Sequence, residues 1–219
     1  MATPIFITGI GTGVGKTLAA AIVTEALQAD YWKPVQTGVT PGGQVDADAP
    51  WILAHLSNPV SRILPERYVF PLPASPHLAA RKEGAAVDIE EILEAWDNLP
   101  TQNDYVVVEG AGGLMVPLNE QDFMADLALR LGAKVILVSR RYLGSINHTL
   151  LTARACREAG LDVVGWIFNG YQTLETEELT GWSRYPMLGN IPETDNTDVA
   201  FVRRQADQIG EALRTALLR

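Results

Sequence analysis

At 219 residues, with 47% hydrophobic and 20% charged side chains, the sequence is that of a folded globular chain rather than a disordered one. A formal net charge of −9 excludes broad nucleic-acid binding through a basic face, though not a small anion held by a few local cations. The only cysteine, Cys156, excludes an intramolecular disulfide and fits a reducing, cytoplasmic setting; no apolar run reaches the roughly 18 residues of a membrane span, and the N-terminus lacks a basic leader.

In chain order, PIFIT (residues 4–8) predicts a buried strand, and Lys16 to about residue 29 predicts a helix rich in Ala and Leu. Between them lie Gly9, Gly11, Gly13 and Gly15. The P-loop pattern G-x-x-x-x-G-K-[ST] puts its first glycine at position 10, where Ile10 stands. The context still matches. Glycines between strand and helix free backbone N–H groups to turn inward on an anion, and the helix N-terminus favours phosphate. In this reading Gly13, Val14, Gly15, Lys16, Thr17 and Leu18 enclose nucleotide phosphates, Lys16 contacts the outer phosphates and the Thr17 hydroxyl ligates Mg²⁺. The competing reading is a tight turn with no ligand.

YWKPVQTG (31–38) follows, with Lys33 at the end of a β-like stretch held extended by Pro34. Lys33 would be a second cation beside the phosphates, and Thr37 adds a hydroxyl; alone, a Lys-Pro pair reads as a solvated turn. In QVDADAPWIL, Asp46 and Asp48 precede an apolar run and suit a helix cap, or Asp48 helps to hold the metal. The stretch 58–77, with five prolines, reads as an ordered excursion over one end of the sheet. DYVVVEGAGG (104–113) predicts a buried strand tipped by Glu109, a rigid hard-oxygen ligand suited to Mg²⁺, and then a Gly-rich turn that permits close approach.

Further strands are predicted over 133–139 and 161–169, and helices over about 124–132, 145–159 and 198–217. Apolar runs this continuous suit strands covered on both faces. The alternation predicts one domain over residues 1–219, a P-loop NTPase-like, doubly wound α/β fold whose mostly parallel sheet is flanked by helices. Gly144, Ser145 and Asn147 precede or open a helix, so free N–H groups there suit a substrate carboxylate; ordinary capping is the alternative. His55, His77 and His148 have no metal-ligand spacing and read as structural, and Trp51, Trp96, Trp166 and Trp182 read as packing.

GTGVGKT, KPVQTG, DADA, SPHLAA, VVVEGAGGLMVPL, LGSINHTLLT, GWIFN and LGNIP occur in that order over about residues 5–192. In this the chain resembles the dethiobiotin synthetase family. The resemblance implies ATP- and Mg²⁺-dependent ring closure of 7,8-diaminononanoate with CO₂, in a homodimer whose partner subunit completes each site. It implies that Lys16 and Lys33 are catalytic. Thr17, Asp48 and Glu109 would hold Mg²⁺, and Gly110, Ala111 and Gly112 would border the nucleotide. Asn169 would read adenine, with Gly170, Pro192, Glu193 and Thr194 beside it. Thr37, Gly144, Ser145 and Asn147 would bind the diamine. Many members carry Asp at Gly11 and often Glu at Gly13, so this loop carries less negative charge.

Other classes remain open on sequence. One is a partitioning or septum-site ATPase, but the extra loop lysine of that group is absent from residues 7–15. The C-terminal FVRRQADQIGEALRTALLR is mildly basic and reads as a docked last helix rather than a membrane anchor. Another is a different amide-forming P-loop ligase.

Overall fold

A computed structural model of the chain describes residues 2–39 and 47–218. Seven strands form one sheet in the order β4-β2-β6-β1-β7-β8-β9, and every pairing is parallel. They are β1 (Thr3–Gly9), β2 (Asp30–Trp32), β4 (Ile63–Leu64), β6 (Tyr105–Glu109), β7 (Lys134–Arg140), β8 (Asp162–Asn169) and β9 (Met187–Ile191). A small parallel pair, β3 (Val35–Thr37) with β5 (Tyr68–Phe70), stands apart.

From β1 the chain runs outward to β2 and β4, returns to insert β6 beside β1, and then continues outward through β7, β8 and β9. The direction thus reverses around β1 and β6. Ligands of open α/β sheets bind outside the carboxyl ends of strands at such a point.

Side-chain alternation sorts the sheet onto two cores. Phe6, Val106, Val108, Leu137, Trp166 and Phe168 point to one face. Ile5, Ile7, Tyr31, Val107, Ile136, Val138 and Ile167 point to the other. The second face is covered by α1 (Lys16–Leu27), α2 (Asp48–His55) and α8 (Val199–Leu217). The first face is covered by α3 (Pro76–Lys82), α4 (Ile89–Asp97), α5 (Met124–Arg130), α6 (Ser145–Glu158) and α7 (Thr173–Ser183). Burial on both faces explains the unbroken Val/Ile runs. Each fully buried large apolar side chain contributes about 1.5–3 kcal/mol.

The short link from α1 to β2 closes because Gln28 takes a left-handed conformation at φ 50°. The Pro-rich stretch is more than an excursion: it supplies the sheet's edge strand β4 and the strand β5. Trp166 is fully buried, Trp96 packs near Trp32, and Trp51 stacks on His55. Trp182 departs from its expected packing role, because α7 leaves it 53% exposed. Cys156 is buried in α6, and burial pushes its thiol up to about 12, as suits a small hydrophobe. Among the described residues no helix is long and apolar enough to cross a membrane.

Candidate active site

The loop after β1 starts at Gly9, not at position 10. A Cβ on Gly9 would lie 2.8 Å from the Val138 carbonyl oxygen and 2.9 Å from Val14 Cγ2, so only glycine passes there. Residues 10–14 then stand between Gly9 and Gly15, a longer run than the pattern allows, which is why Ile10 breaks it. Gly13 and Gly15 have φ of 72° and 92°, and the chain enters α1 at Lys16 without a side-chain cap. Lys16 folds back so that Nζ donates to the Gly11 carbonyl at 2.9 Å. Burial, only partly opposed by the Glu109 carboxylate, holds the Lys16 ammonium below the ordinary lysine range.

Three further elements bring charge to this loop. Glu109 is the last residue of β6, Lys33 follows β2, and Asp48 opens α2. Thr17 Oγ1 lies 2.8 Å from Asp48 Oδ1 and 3.0 Å from Glu109 Oε1. Lys33 Nζ lies 2.5 Å from Asp48 Oδ2 and 3.1 Å from Glu109 Oε1. Lys33 is therefore no solvated turn residue: it is 6% exposed and clamped between two carboxylates. Burial disfavours its charge, but Glu109 and Asp48 outweigh that and hold its pKa above the usual value. Burial likewise works against the Asp48 anion, while Lys33 and the hydroxyl of Thr17 hold its carboxyl below the usual range. Asp48 does not cap α2, because its carboxylate is turned to Thr17 and Lys33; Asp46 lies outside the described residues.

These groups face one cavity of about 660 Å³, well within the range of small-molecule sites. Thr12, Gly13, Thr37, Ala111 and Gly112 also line it. Sequence reasoning missed several of its lining residues: Thr12, Gln36, Val116 and the Pro73–Pro76 segment that leads into α3. It also missed Tyr31, whose phenol donates to Glu109 Oε2 at 2.8 Å from inside the core, and Arg140, whose guanidinium reaches the Gly13 carbonyl at 3.4 Å. A strand tyrosine two residues before Lys33 carries no signal of such a contact.

Other predicted residues lie around this centre. Gly110 packs behind it, its N–H donating to the Ile7 carbonyl. Asn169, at the end of β8, donates from Nδ2 to the Val14 carbonyl at 3.2 Å and so abuts the loop. A Cβ on Gly170 would meet Glu193 Cγ at 3.3 Å, so the 169–170 turn and the 192–194 segment are neighbours. Gly144, Ser145 and Asn147 do not line the cavity. Ser145 is buried, and its N–H is taken by the Tyr142 carbonyl at 3.0 Å rather than left free. His77 pairs with Ser75, and His148 with Tyr142.

The donor set fits a hard cation. One hydroxyl and two carboxylate oxygens converge at Thr17, while among the described residues no three His, Cys, Asp or Glu side chains could hold a metal alone. Mg²⁺ is commonly bound in this way, by one or two carboxylates with phosphate and water completing its shell.

A glycine-rich loop between a central parallel strand and a helix opening on Lys-Thr, faced by an acidic strand end and an acidic helix start, defines a P-loop α/β protein of the nucleotide-binding class. Solved structures share the fold. A plasmid partition protein from Borrelia burgdorferi superposes with a TM-score of 0.62 at 14% identity over 98% of each chain. The septum site-determining protein MinD from Pyrococcus horikoshii, complexed with Mg-ADP, gives 0.57 at 17% identity over 99% of each. Residues 3–200 match a family model described as an AAA domain. The ATP-dependent dethiobiotin synthetase BioD of Cytophaga hutchinsonii is 47% identical over 80% of each chain. That of Rhodopseudomonas palustris is 41% identical over 93% of this chain and 92% of its own. The chain belongs to the dethiobiotin synthetase family of enzymes.

Proposed function

We propose that the chain, acting as one domain over residues 1–219, closes 7,8-diaminononanoate and CO₂ into the cyclic urea dethiobiotin at the expense of ATP. The observation that carries this reading is the buried Lys33 clamped between Asp48 and Glu109 beside the P-loop. A nucleotide-binding loop alone would serve many reactions. A second buried ammonium in the same cavity suits one that forms an anionic carbamate and then phosphorylates it.

One substrate amine adds to CO₂, giving a carbamate and a proton. The carbamate oxygen takes the γ-phosphoryl group of ATP and releases ADP. The second amine attacks the carbonyl of this mixed anhydride, phosphate leaves, the amine gives up a proton, and the ring closes. Residues 13–18 hold the phosphates through backbone N–H groups and Lys16. Lys33 offsets charge on the carbamate and the transferring phosphoryl group. Thr37 contacts the diamine, and Asn169 with Gly170 and residues 192–194 borders the adenine. Thr17, Asp48 and Glu109 would hold Mg²⁺, which supplies charge neutralisation across the phosphate oxygens. The cluster of Lys16, Lys33, Asp48 and Glu109 has no net formal charge before substrates arrive, so the cations needed for catalysis are already held in place.

The substrate carboxylate would sit on the first turn of α6 from a second copy. Leu143, Ile146, Leu151 and Met115 are exposed apolar residues on and near that element, which supports a homodimer with shared sites. Small molecules, not nucleic acid or membrane, are the other partners, in the cytoplasm. The deciding experiment supplies purified protein with Mg-ATP and bicarbonate. Phosphate should appear only when the diamine is added; equal release without it would remove the ligase reading and favour a nucleotide-driven switch.

A further inference from the structure

The two oxygens of Glu109 have different partners. Oε1 meets the cavity-lining residues, accepting from Lys33 at 3.1 Å and lying 3.0 Å from Thr17 Oγ1. Oε2 accepts from the Tyr31 phenol at 2.8 Å. Tyr31 is fully buried in β2, beside β6, with its ring in the core under α1. Among the described residues its hydroxyl has no other hydrogen-bond partner. A buried phenol needs one, and Glu109 is the group in reach. The bond therefore ties one end of the carboxylate into the core while the other end is left to the site.

This division has a consequence for metal choice. Mg²⁺ takes single oxygens at near-octahedral positions, whereas Ca²⁺ accepts more oxygens and often both from one carboxylate. A carboxylate with Oε2 tied to a core phenol must strain or share that hydrogen bond to offer both. We propose that Tyr31 is a positioning residue that holds Glu109 to one-oxygen contact with the divalent cation through Oε1, and so favours Mg²⁺ over Ca²⁺. This rests on the metal reading given above.

The test measures binding rather than turnover. Calorimetric titration of MgCl₂ and of CaCl₂ into protein with ADP gives the two affinities for wild type, Tyr31→Phe, Glu109→Gln and the double variant, with circular dichroism reporting folding. Tyr31→Phe should weaken Mg²⁺ about tenfold, as loss of a supporting hydrogen bond typically does, while Ca²⁺ binding holds or tightens. In the Glu109→Gln background the same substitution should change neither. A folded Tyr31→Phe protein with the wild-type ratio overturns the proposal, as does an equal effect in the Glu109→Gln background. If Glu109→Gln itself leaves Mg²⁺ affinity unchanged, the metal reading fails and this one falls with it; if it weakens Mg²⁺ while Tyr31→Phe keeps the ratio, only the role of Tyr31 fails. Should Tyr31→Phe not fold, Glu109→Asp carries the test, because a shorter side chain cannot keep both contacts. Undiminished Mg²⁺ preference in that variant overturns the proposal.

Discussion

Two helices of this chain begin alike and end up in different surroundings. α1 starts after Gly15 at φ 92°, and α6 after Gly144 at φ 98°; neither has a side-chain cap or an acidic residue in its first turn. Both therefore present N–H groups that favour an anion. Around α1 the same chain supplies Lys33, Asp48 and Glu109, and Lys16 itself is buried. Around α6 it supplies little: Leu143 is wholly exposed, Ile146 is 44% exposed, and Asn147 faces solvent. A helix start is thus only half a binding site. The first has its complement within the chain; the second has none among the described residues of its own chain, which is why a second copy is proposed to complete it.

The largest break on the α1 side is Lys33→Ala. Loss of a charge-assisted contact in a dry site should cost about 3 kcal/mol in the transition state, or roughly 10²-fold in diamine-dependent phosphate release. As an exposed turn lysine, Lys33 would be removable at little cost in stability; clamped between two carboxylates, it is not. Removing it leaves Asp48 and Glu109 facing each other unpaired, so metal-free protein should lose about 3–5 kcal/mol in denaturant unfolding. Added Mg²⁺ should recover part of that loss, since a cation that binds only the folded state stabilises it. Phosphate release within twofold of wild type would return Lys33 to a structural role.

The two helix starts, Gly15 and Gly144, differ in the room around them. Ala at either position pays the left-handed penalty of about 1–2 kcal/mol. At Gly144 the added Cβ meets nothing within 4 Å, but at Gly15 it comes within 2.5 Å of Asn169 Nδ2. Gly144→Ala should lower the melting temperature by a few degrees and leave ATP binding intact. Gly15→Ala must also displace Asn169, and calorimetry should find ATP binding weakened by about tenfold or more. Equal effects on ATP would mean that Asn169 does not border the nucleotide.

The α1 side was largely legible in the sequence, and the reason is local. Gly13 to Thr17, Lys33 and Glu109 sit at the ends of strands whose two-sided burial writes continuous apolar runs. What escaped lies in contacts between distant segments. For Lys33 the second-cation and solvated-turn readings stay side by side until β6 places Glu109 beside it, and Tyr31 shows as one more strand aromatic. β4 is only Ile63–Leu64 within a Pro-rich stretch, and β9 is an edge strand with its burial broken at Gly189 and Asn190. α4 is amphipathic and opened by the Asp88 side chain, yet it is short and lies between loops. On the α6 side the motif was visible, but the engagement of the Ser145 N–H with Tyr142 was not.

If α6 is completed by a second copy, Asn147→Ala should weaken diamine binding by about 1–3 kcal/mol and ATP binding hardly at all. Mixing this variant with Lys16→Ala tests the sharing of sites. In a heterodimer one site joins both defects and the other is intact, so phosphate release should reappear. A monomer that is fully active on sizing, or no recovery despite demonstrated subunit exchange, would confine α6 to its own chain.

The smallest effect lies within the first loop, at Gly11 and Gly13. Gly11 has no left-handed φ, and a Cβ there meets nothing within 4 Å. Gly13 has the same open space but a φ of 72°. Space alone would make both substitutions equal, and backbone conformation makes them different. Gly11→Asp should therefore leave unfolding within about 0.5 kcal/mol of wild type, as surface changes usually do. Gly13→Glu should cost about 1–2 kcal/mol for placing a side chain in the left-handed region. Both add one negative charge near the phosphates, so a difference in thermal unfolding between them reports conformation and not charge. Equal stability of the two variants would mean that the loop relaxes out of its left-handed turn at Gly13. The rigid phosphate cradle would then have to form with the nucleotide rather than before it.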